Sequence, residues 1–419
     1  MTETFHPAFP GRPKPLLSHG LPFTTAVAQH AASTFGASRV YLIASASLAR
    51  DTPHVANLQA ALGTRLAGVR VGMRPHTHWG EILEMTAAAR RAGADLLVTL
   101  GASSLTDAAK VIALCLANDV CTVAELEAAH PGSRTGGEEV RPPRVPVVCV
   151  PTSLSGAEYS ATGGATHDGT GRKWSFAGPG VAPPALVVLD PALCAATPRH
   201  VWLSTGVKAV DHCVETLCSL ASDEAADADA AAGLRRLIPG LLRCARGPER
   251  GGGDGDGEGT TGLDDARLQC QLGVVDAMSA CSRGVPLGAS HGIGHQLGPV
   301  GVSHGETSCV LLPPVCRYNY EKGANRERQD AVVGLLWEQP EAAGIFREKG
   351  LERGEAGLGD LMDAVIRALG MPRTLKEFGI GEDKLDGIAE HSLHDRWVKS
   401  NPAPLDKNGV LEILKMAME

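Results

Sequence analysis

Aromatic residues make up only 4% of this 419-residue chain. A core so poor in rings has to be filled by Ala, Val and Leu. Basic stripes with interleaved aromatics are also missing: the net charge is −8 and both signs are interspersed, which argues against nucleic acid as a partner. No apolar run reaches the roughly eighteen residues of a membrane span, so no membrane partner is expected. The first residues, MTETFHPAFPGRPKP, lack the charged start and apolar stretch of a signal peptide. A cytoplasmic location is the expectation. Internal repeats are absent too. Cysteine is plentiful but unpatterned: there are eleven, an odd number, mostly set in apolar runs such as those around Cys115, Cys149 and Cys309. That pattern fits reduced thiols packed as small hydrophobes better than a disulfide framework.

What is present is ordinary for a soluble protein of two domains, with 43% hydrophobic and 21% charged residues. Short apolar runs at 39–46 (RVYLIASA), 68–73, 94–100, 146–151 and 185–190 read as strands. Helical spacing separates the first of them, at 57–65 and at 79–92. Strands alternating with helices imply a parallel sheet with right-handed crossovers. Residues 1–22 are Pro-rich and read as extended. Beyond residue 198 the apolar spacing is helical, through 201–220, 225–245, 266–282, 358–369 and 410–418. The expected organisation is therefore α/β: a dinucleotide-binding domain with a parallel sheet over 1–190, then an all-helical domain over 191–419. Residues 247–262, GPERGGGDGDGEGTTG, read as a disordered surface loop. Their Asp-Gly units lack the spaced ligands of a calcium loop.

Three stretches carry chemistry. The strand ending at Leu100 runs into GASSLTDAAK, where Gly101, Ala102, Ser103 and Ser104 form a turn of small residues before a helix. Free N–H groups and the helix dipole make such a turn an anion site, although an ordinary strand-to-helix turn has the same pattern. The loop PTSLSGAEYSATGGAT, with its hydroxyls and glycines, either lines a nucleotide crevice or is a flexible connection. The third stretch is LGASHGIGHQLGPVGVSHGETSCVLLPP, which holds His291, His295 and His304. His291 and His295 are one helical turn apart on one face. Gly292 and Gly294 leave room for another backbone or a flat ligand. Far upstream, TGVKAVDHCVETL sets Lys208, Asp211, His212 and Glu215 on one helical face. Four histidines beside glycines on packed segments read as a site.

These motifs resemble those of the iron-containing alcohol dehydrogenase superfamily, and within it those of the maleylacetate reductases. GASSLTDAAK stands where the family has GGGSxxDxAK. VPTSLSGAEYS is similar to the family's second loop, TGVKAVDHCVE to TGMDALTHAIE, and HGIGHQLG…SHG…LLPPVCRYN to HAMAHPLG…PHG…LLPHVMxFN. Asn401 to Pro404 match a further landmark. The resemblance implies a dehydroquinate synthase-like architecture and a nicotinamide coenzyme, NADPH or NADH. It assigns to the coenzyme Gly101, Ala102, Ser103, Ser104 and Asp107, then Thr152, Ser153 and Ser155, with Ser45 and Leu193. It implies a small-molecule substrate and a homodimer. Metal-dependent relatives hold a cation with an Asp and three His, here matched by His212, His291 and His304. His295 corresponds to the histidine beside the nicotinamide.

Two departures matter. The metal-binding Asp is replaced by Lys208, whose ammonium has no lone pair to give and repels a dication. Maleylacetate reductases share the loss, so no metal is expected, and Lys208 would supply the positive charge; a plain ion pair of Lys208 with Glu215 or an Asp is the alternative. Asp211 could stand in only if the helix were rotated. Where many relatives carry a ribose-binding Asp, this chain has Ser45, with Arg50 nearby, which removes the barrier to NADPH. The expected catalytic residues are Lys208, His212, His291, His295 and His304. The expected reaction is reduction of a small oxo acid or related carbonyl or enone. The alternatives are a metal-dependent alcohol or aldehyde dehydrogenase, and a lyase or cyclase on the same fold.

Overall fold

The structure, a computed structural model, describes residues 2–74, 76–130, 140–178, 180–247 and 258–419. It divides into two compact units, Met1–Ala196 and Thr197–Glu419.

Among its described residues the first unit has nine strands: β1 (Thr4–Pro7), β2 (Leu16–His19), β3 (Val40–Ala44), β4 (Leu66–Val71), β5 (Leu96–Gly101), β6 (Val147–Pro151), β7 (Gly163–Thr166), β8 (Lys173–Phe176) and β9 (Leu186–Leu189). Seven of them form one sheet in the order β1-β2-β9-β6-β5-β3-β4. All its neighbours are parallel except the β1–β2 pair. Its helices are α1 (Phe23–Ser33), α2 (Ala46–Asp51), α3 (His54–Leu62), α4 (Trp79–Arg91), α5 (Ser103–Ala117) and α6 (Val123–Ala129). The strand period of two sorts the side chains between the sheet's faces. Val40, Leu42 and Ala44 pack with Phe23, Val27, Leu58 and Leu62 of α1 and α3. Tyr41 and Ile43 pack with Ile82, Met85, Ala108 and Ile112 of α4 and α5. Both faces are covered, so the runs of the inner strands read as apolar throughout.

Two segments carry strands beyond those read from the sequence. The Pro-rich start contributes β1 and β2, which pair as an antiparallel hairpin and then lengthen the sheet through β2 and β9. The hydroxyl- and glycine-rich loop after β6 contains β7, which pairs antiparallel with β8. A Cβ at Gly163 would lie 3.2 Å from the Asp107 carbonyl, so glycine lets this hairpin lie directly on α5.

The second unit contains only helices among the described residues: α7 (Arg199–Cys218), α8 (Glu224–Arg246), α9 (Glu258–Ser282), α10 (Ala289–Leu297), α11 (Thr307–Glu321), α12 (Arg326–Trp337), α13 (Pro340–Glu348), α14 (Leu358–Leu369), α15 (Leu385–Ser392), α16 (Arg396–Lys399) and α17 (Lys407–Met416). Helix α7 is its axis, buried almost continuously from Trp202 to Thr216. Gly233 admits α8 to within contact of both neighbours: a Cβ there would stand 2.7 Å from Cys213 Sγ of α7 and 3.2 Å from the Gly273 carbonyl of α9. The expected disordered loop over 247–262 falls largely outside the described residues. Its last part is helical, since α9 begins at Glu258. The run Cys309–Leu312 is likewise part of a longer helix, α11, which continues through Pro313 and Pro314. Proline there removes two amide donors but leaves the helix intact, because neighbouring segments pack around it.

Candidate active site

In the first unit the chain leaves β3 towards β4 on one side and returns to β5 on the other. Such a reversal opens a crevice at the carboxyl ends of the two strands. The residues there are the ones the motif singled out. Ser45 follows β3 and its amide donates to the Leu100 carbonyl at 3.0 Å. Gly101 closes β5 with φ +149, and a Cβ would come within 2.8 Å of Leu105 Cδ1 and 3.1 Å of Ser45 Cβ. Only glycine keeps this approach open. Ala102 is the N-cap of α5 and no side chain caps that helix, so its first amides point out unsatisfied. Ser103 Oγ is buried there without a hydrogen-bond partner. Orphaned donors at a helix N-terminus fit a dinucleotide's phosphates.

The other coenzyme expectations resolve as follows. Asp107 pairs with Lys110 at 3.3 Å. Lys110 is buried and donates to the carbonyls of Ala157, Ser160 and Thr162, tying α5 to the second loop. In that loop the Thr152 amide donates to the Gly101 carbonyl at 3.2 Å, and the hydroxyls of Ser153 and Ser155 lie 3.2 Å apart. Thr152 and Ser153 are buried beside the β5 loop. Leu193 is fully buried in the apolar core of the sheet, in a short turn whose amide Asp190 accepts. Arg50 is engaged with its neighbour Asp51 at 2.7 Å. Thr77, which the sequence did not flag, sits at φ 56 and donates to the Ser104 carbonyl at 3.3 Å. Strained backbone of this kind clusters at binding sites.

In the second unit, α7 and α10 are joined by charge. The N-terminus of α10 has no cap of its own, because Gly288 carries no side chain. Glu215 of α7 caps it instead, accepting the amides of Gly288 at 2.9 Å and Ser290 at 2.8 Å. Asn401 accepts the Ala289 amide at 3.2 Å, which gives the Asn401–Pro404 landmark a structural role. Glu215 also takes His291 Nδ1 at 2.8 Å, with Asp211 at 3.3 Å from the same nitrogen. Asp211 accepts the Ser290 and Ser308 hydroxyls at 2.8 and 2.6 Å. Burial pushes the Asp211 carboxyl up to about 6 and that of Glu215 up to about 7. It pushes His291 down to about 3 and His212 well below the usual imidazole range, in both cases with help from the Lys208 charge. Both rings are therefore neutral. With Nδ1 held by a carboxylate, the lone pair of His291 is on Nε2, which is buried without a partner.

The four histidines form two stacked pairs. His212 lies on His291 with centroids 4.6 Å apart, and His295 on His304 with centroids 5.9 Å apart. Lys208 Nζ hydrogen-bonds to His304 Nε2, an imidazole partner that the sequence reading did not name. His295 Nδ1 is held by Asp395 at 2.8 Å. Asp395 was not singled out in the sequence; it lies 100 residues from His295, and its only local signal is that of a helix cap. The glycines of the motif serve protein, not ligand. A Cβ on Gly292 would stand 2.7 Å from the Val398 amide nitrogen of α16, and one on Gly294 would stand 3.1 Å from Thr307 Oγ1.

Two sets of side chains bear on a divalent metal. In the set matched to the family's ligands, His212, His291 and His304, the His304 Nε2 lone pair is taken by the Lys208 ammonium. Among the described residues the donor atoms of Asp211, Glu215 and His291 do gather within 4.8 Å. Both Glu215 oxygens and Asp211 Oδ2 are engaged by amides, hydroxyls and the His291 N–H, while Asp211 Oδ1 and His291 Nε2 are buried without a partner.

A doubly wound nucleotide fold followed by a helical unit carrying this histidine cluster fits an oxidoreductase that takes a dinucleotide. Comparison with known families agrees: residues 24–191 match the model "Iron-containing alcohol dehydrogenase" and residues 261–418 match "Fe-containing alcohol dehydrogenase family, C-terminal". The chain belongs to the iron-containing alcohol dehydrogenase family. Dehydrogenase ALT3 of Alternaria alternata is 40% identical over 396 residues, covering 91% of this chain and 100% of that protein. Dehydrogenase FUM7 of Gibberella moniliformis is 37% identical over 433 residues, covering 99% and 98%. Maleylacetate reductase of Rhizobium sp. strain MTP-10005 is 28% identical over 381 residues, covering 90% of each chain. The crystal structure of that reductase matches with a TM-score of 0.72 at 24% identity, covering 100% of this chain and 97% of that one. The sequence motifs had pointed within the family to the maleylacetate reductases; the two dehydrogenases are more similar.

Proposed function

We propose that the protein is an NAD(P)H-dependent reductase of a small carbonyl compound, oxo acids and enones included, that uses Lys208 in place of a metal ion. The observation that carries this reading is the Lys208–His304 hydrogen bond. An ammonium donates to an imidazole only through that ring's lone pair, so His304 fixes Lys208 and is itself withdrawn from metal binding. The turn Gly101–Ser104 and the hydroxyls of Thr152 and Ser153 would hold the coenzyme, which supplies hydride when bound. Lys208 donates to the substrate oxygen as negative charge develops on it, the service a Lewis acid gives elsewhere in such chemistry. His295, protonated on both nitrogens, delivers the Nε2 proton to that oxygen and is left as the neutral ring whose Nδ1–H Asp395 holds. His212 and His291, neutral and buried, wall the site; the Nε2 lone pair of His291 is available to accept a substrate hydroxyl.

The test is metal analysis and turnover of protein purified without chelator. Full activity in EDTA and no stoichiometric dication are expected. Lys208→Ala should lose about 2–4 kcal/mol of transition-state stabilisation, a rate loss of roughly thirtyfold to a thousandfold. Lys208→Asp should gain zinc or iron binding. A tightly bound native metal whose removal abolishes turnover overturns the reading, as does full activity in Lys208→Ala.

A further inference from the structure

We infer that Asp395 is a positioning residue for the reaction, acting through His295 by dictating which ring nitrogen carries the proton. The inference rests on the His295 relay proposed above. Asp395 divides its two oxygens between two donors: Oδ1 accepts the Trp397 amide at 2.8 Å and Oδ2 accepts His295 Nδ1 at 2.8 Å. The carboxylate is well sheltered, its side chain 14% exposed, whereas the His295 ring it holds is 38% exposed. The open side of that ring is thus Nε2, and the sheltered side is the one Asp395 grips.

The carboxylate is itself held in place. As N-cap of α16 it is anchored to backbone through Trp397, and α16 is pressed onto α10 where Gly292 leaves no room for a side chain beneath the Val398 amide. Helix α10 carries His295, so donor and acceptor are mounted on two segments in backbone contact. Burial works to raise the Asp395 carboxyl, yet the His295 and Trp397 hydrogen bonds, with the nearby charges of His295 and Arg396, hold it below the usual carboxylate range. It therefore stays an acceptor, which keeps Nδ1 the protonated nitrogen and Nε2 the one facing the reaction. When His295 carries a second proton, the same carboxylate stabilises the cation.

The two-donor geometry makes asparagine a sharp probe. An amide has one acceptor oxygen, and the Trp397 N–H can only donate, so in Asp395→Asn the oxygen caps α16 and the NH2 faces His295. The ring must then accept at Nδ1, so it cannot take up the second proton that makes it a donor, and giving up a lone Nε2 proton would leave an imidazolate. Asp395→Ser keeps a capping hydroxyl but is too short to reach His295. Both variants should retain the wild-type melting temperature and coenzyme affinity. In Asp395→Asn, kcat should fall on the order of 10³- to 10⁴-fold with KM nearly unchanged, the scale of misdirecting a catalytic imidazole's tautomer. The solvent deuterium isotope effect on kcat should rise as proton transfer becomes limiting. Asp395→Ser should also be slow, and Asp395→Glu should recover part of the rate. His295→Gln separates the two claims. If it turns over at the wild-type rate, the relay itself is wrong. If it is slow while Asp395→Asn or Asp395→Ser is fast, the relay stands and the role of Asp395 is refuted. Loss of melting temperature in step with activity across both Asp395 variants also refutes it.

Discussion

Glu215→Ala tests the claim that one buried carboxylate organises the helical half of the site. The side chain accepts three donors, the amides of Gly288 and Ser290 and the ring N–H of His291, at 2.8–2.9 Å. Each buried donor left unsatisfied costs about 1–3 kcal/mol, so three set a ceiling of roughly 9 kcal/mol. Relaxation lowers that figure. A cavity of about 20 Å³ already lies against Glu215, Gly288 and Asn401, and truncation would enlarge it enough for water to take some of the donors. A net loss of about 3–5 kcal/mol is expected, a large share of a domain's usual 5–15 kcal/mol. Urea unfolding followed by circular dichroism would measure it, with an unchanged m-value confirming that stability alone has moved. The gap between wild type and variant should also depend on pH. Burial lifts Glu215 from the usual 4.5 to about 7, so the folded state binds its proton more tightly than the unfolded chain does. Its contribution is then fully present below the unfolded value and declines as pH rises through 7. The gap should accordingly be wider at pH 5 than at pH 8. A loss under about 1 kcal/mol, or a gap that widens with pH, would refute the reasoning.

Two further outcomes bear on the coenzyme. Gly101→Val places a branched side chain at φ +149, where even a Cβ lies 2.8 Å from Leu105, so NAD(P)H affinity measured by fluorescence titration should drop at least about tenfold. Ser45→Asp sets a carboxylate at the end of β3 and should lower kcat/KM for NADPH relative to NADH through repulsion of the 2′-phosphate; an unchanged ratio would remove Ser45 from the adenosine pocket.

Much of this protein was legible in one dimension because the signals are local. Strand runs buried on both faces read as apolar, helices read by their period, and a turn of small residues between β5 and α5 leaves the first helical amides uncapped whatever surrounds it. The same holds for the histidines and for Lys208, whose inability to ligate a cation is a property of the residue type. Where local signals conflict, tertiary packing won. Pro313 and Pro314 hid α11, and glycines hid β7, because each residue's own preference was overridden by neighbours distant in the chain. Partners set at long range were not legible either. Gly292 admits a backbone and not a ligand because α16 folds back onto α10. Lys208 pairs with His304 because α7 and the turn before α11 meet. Asp395 had no legible role, since a hydrogen bond across 100 residues leaves no spacing to read. The sequence by itself determined which chemical groups this protein owns and which elements carry them. Only the tertiary structure decided their partners, because a hydrogen bond is set by distance and direction in space, and chain separation constrains neither.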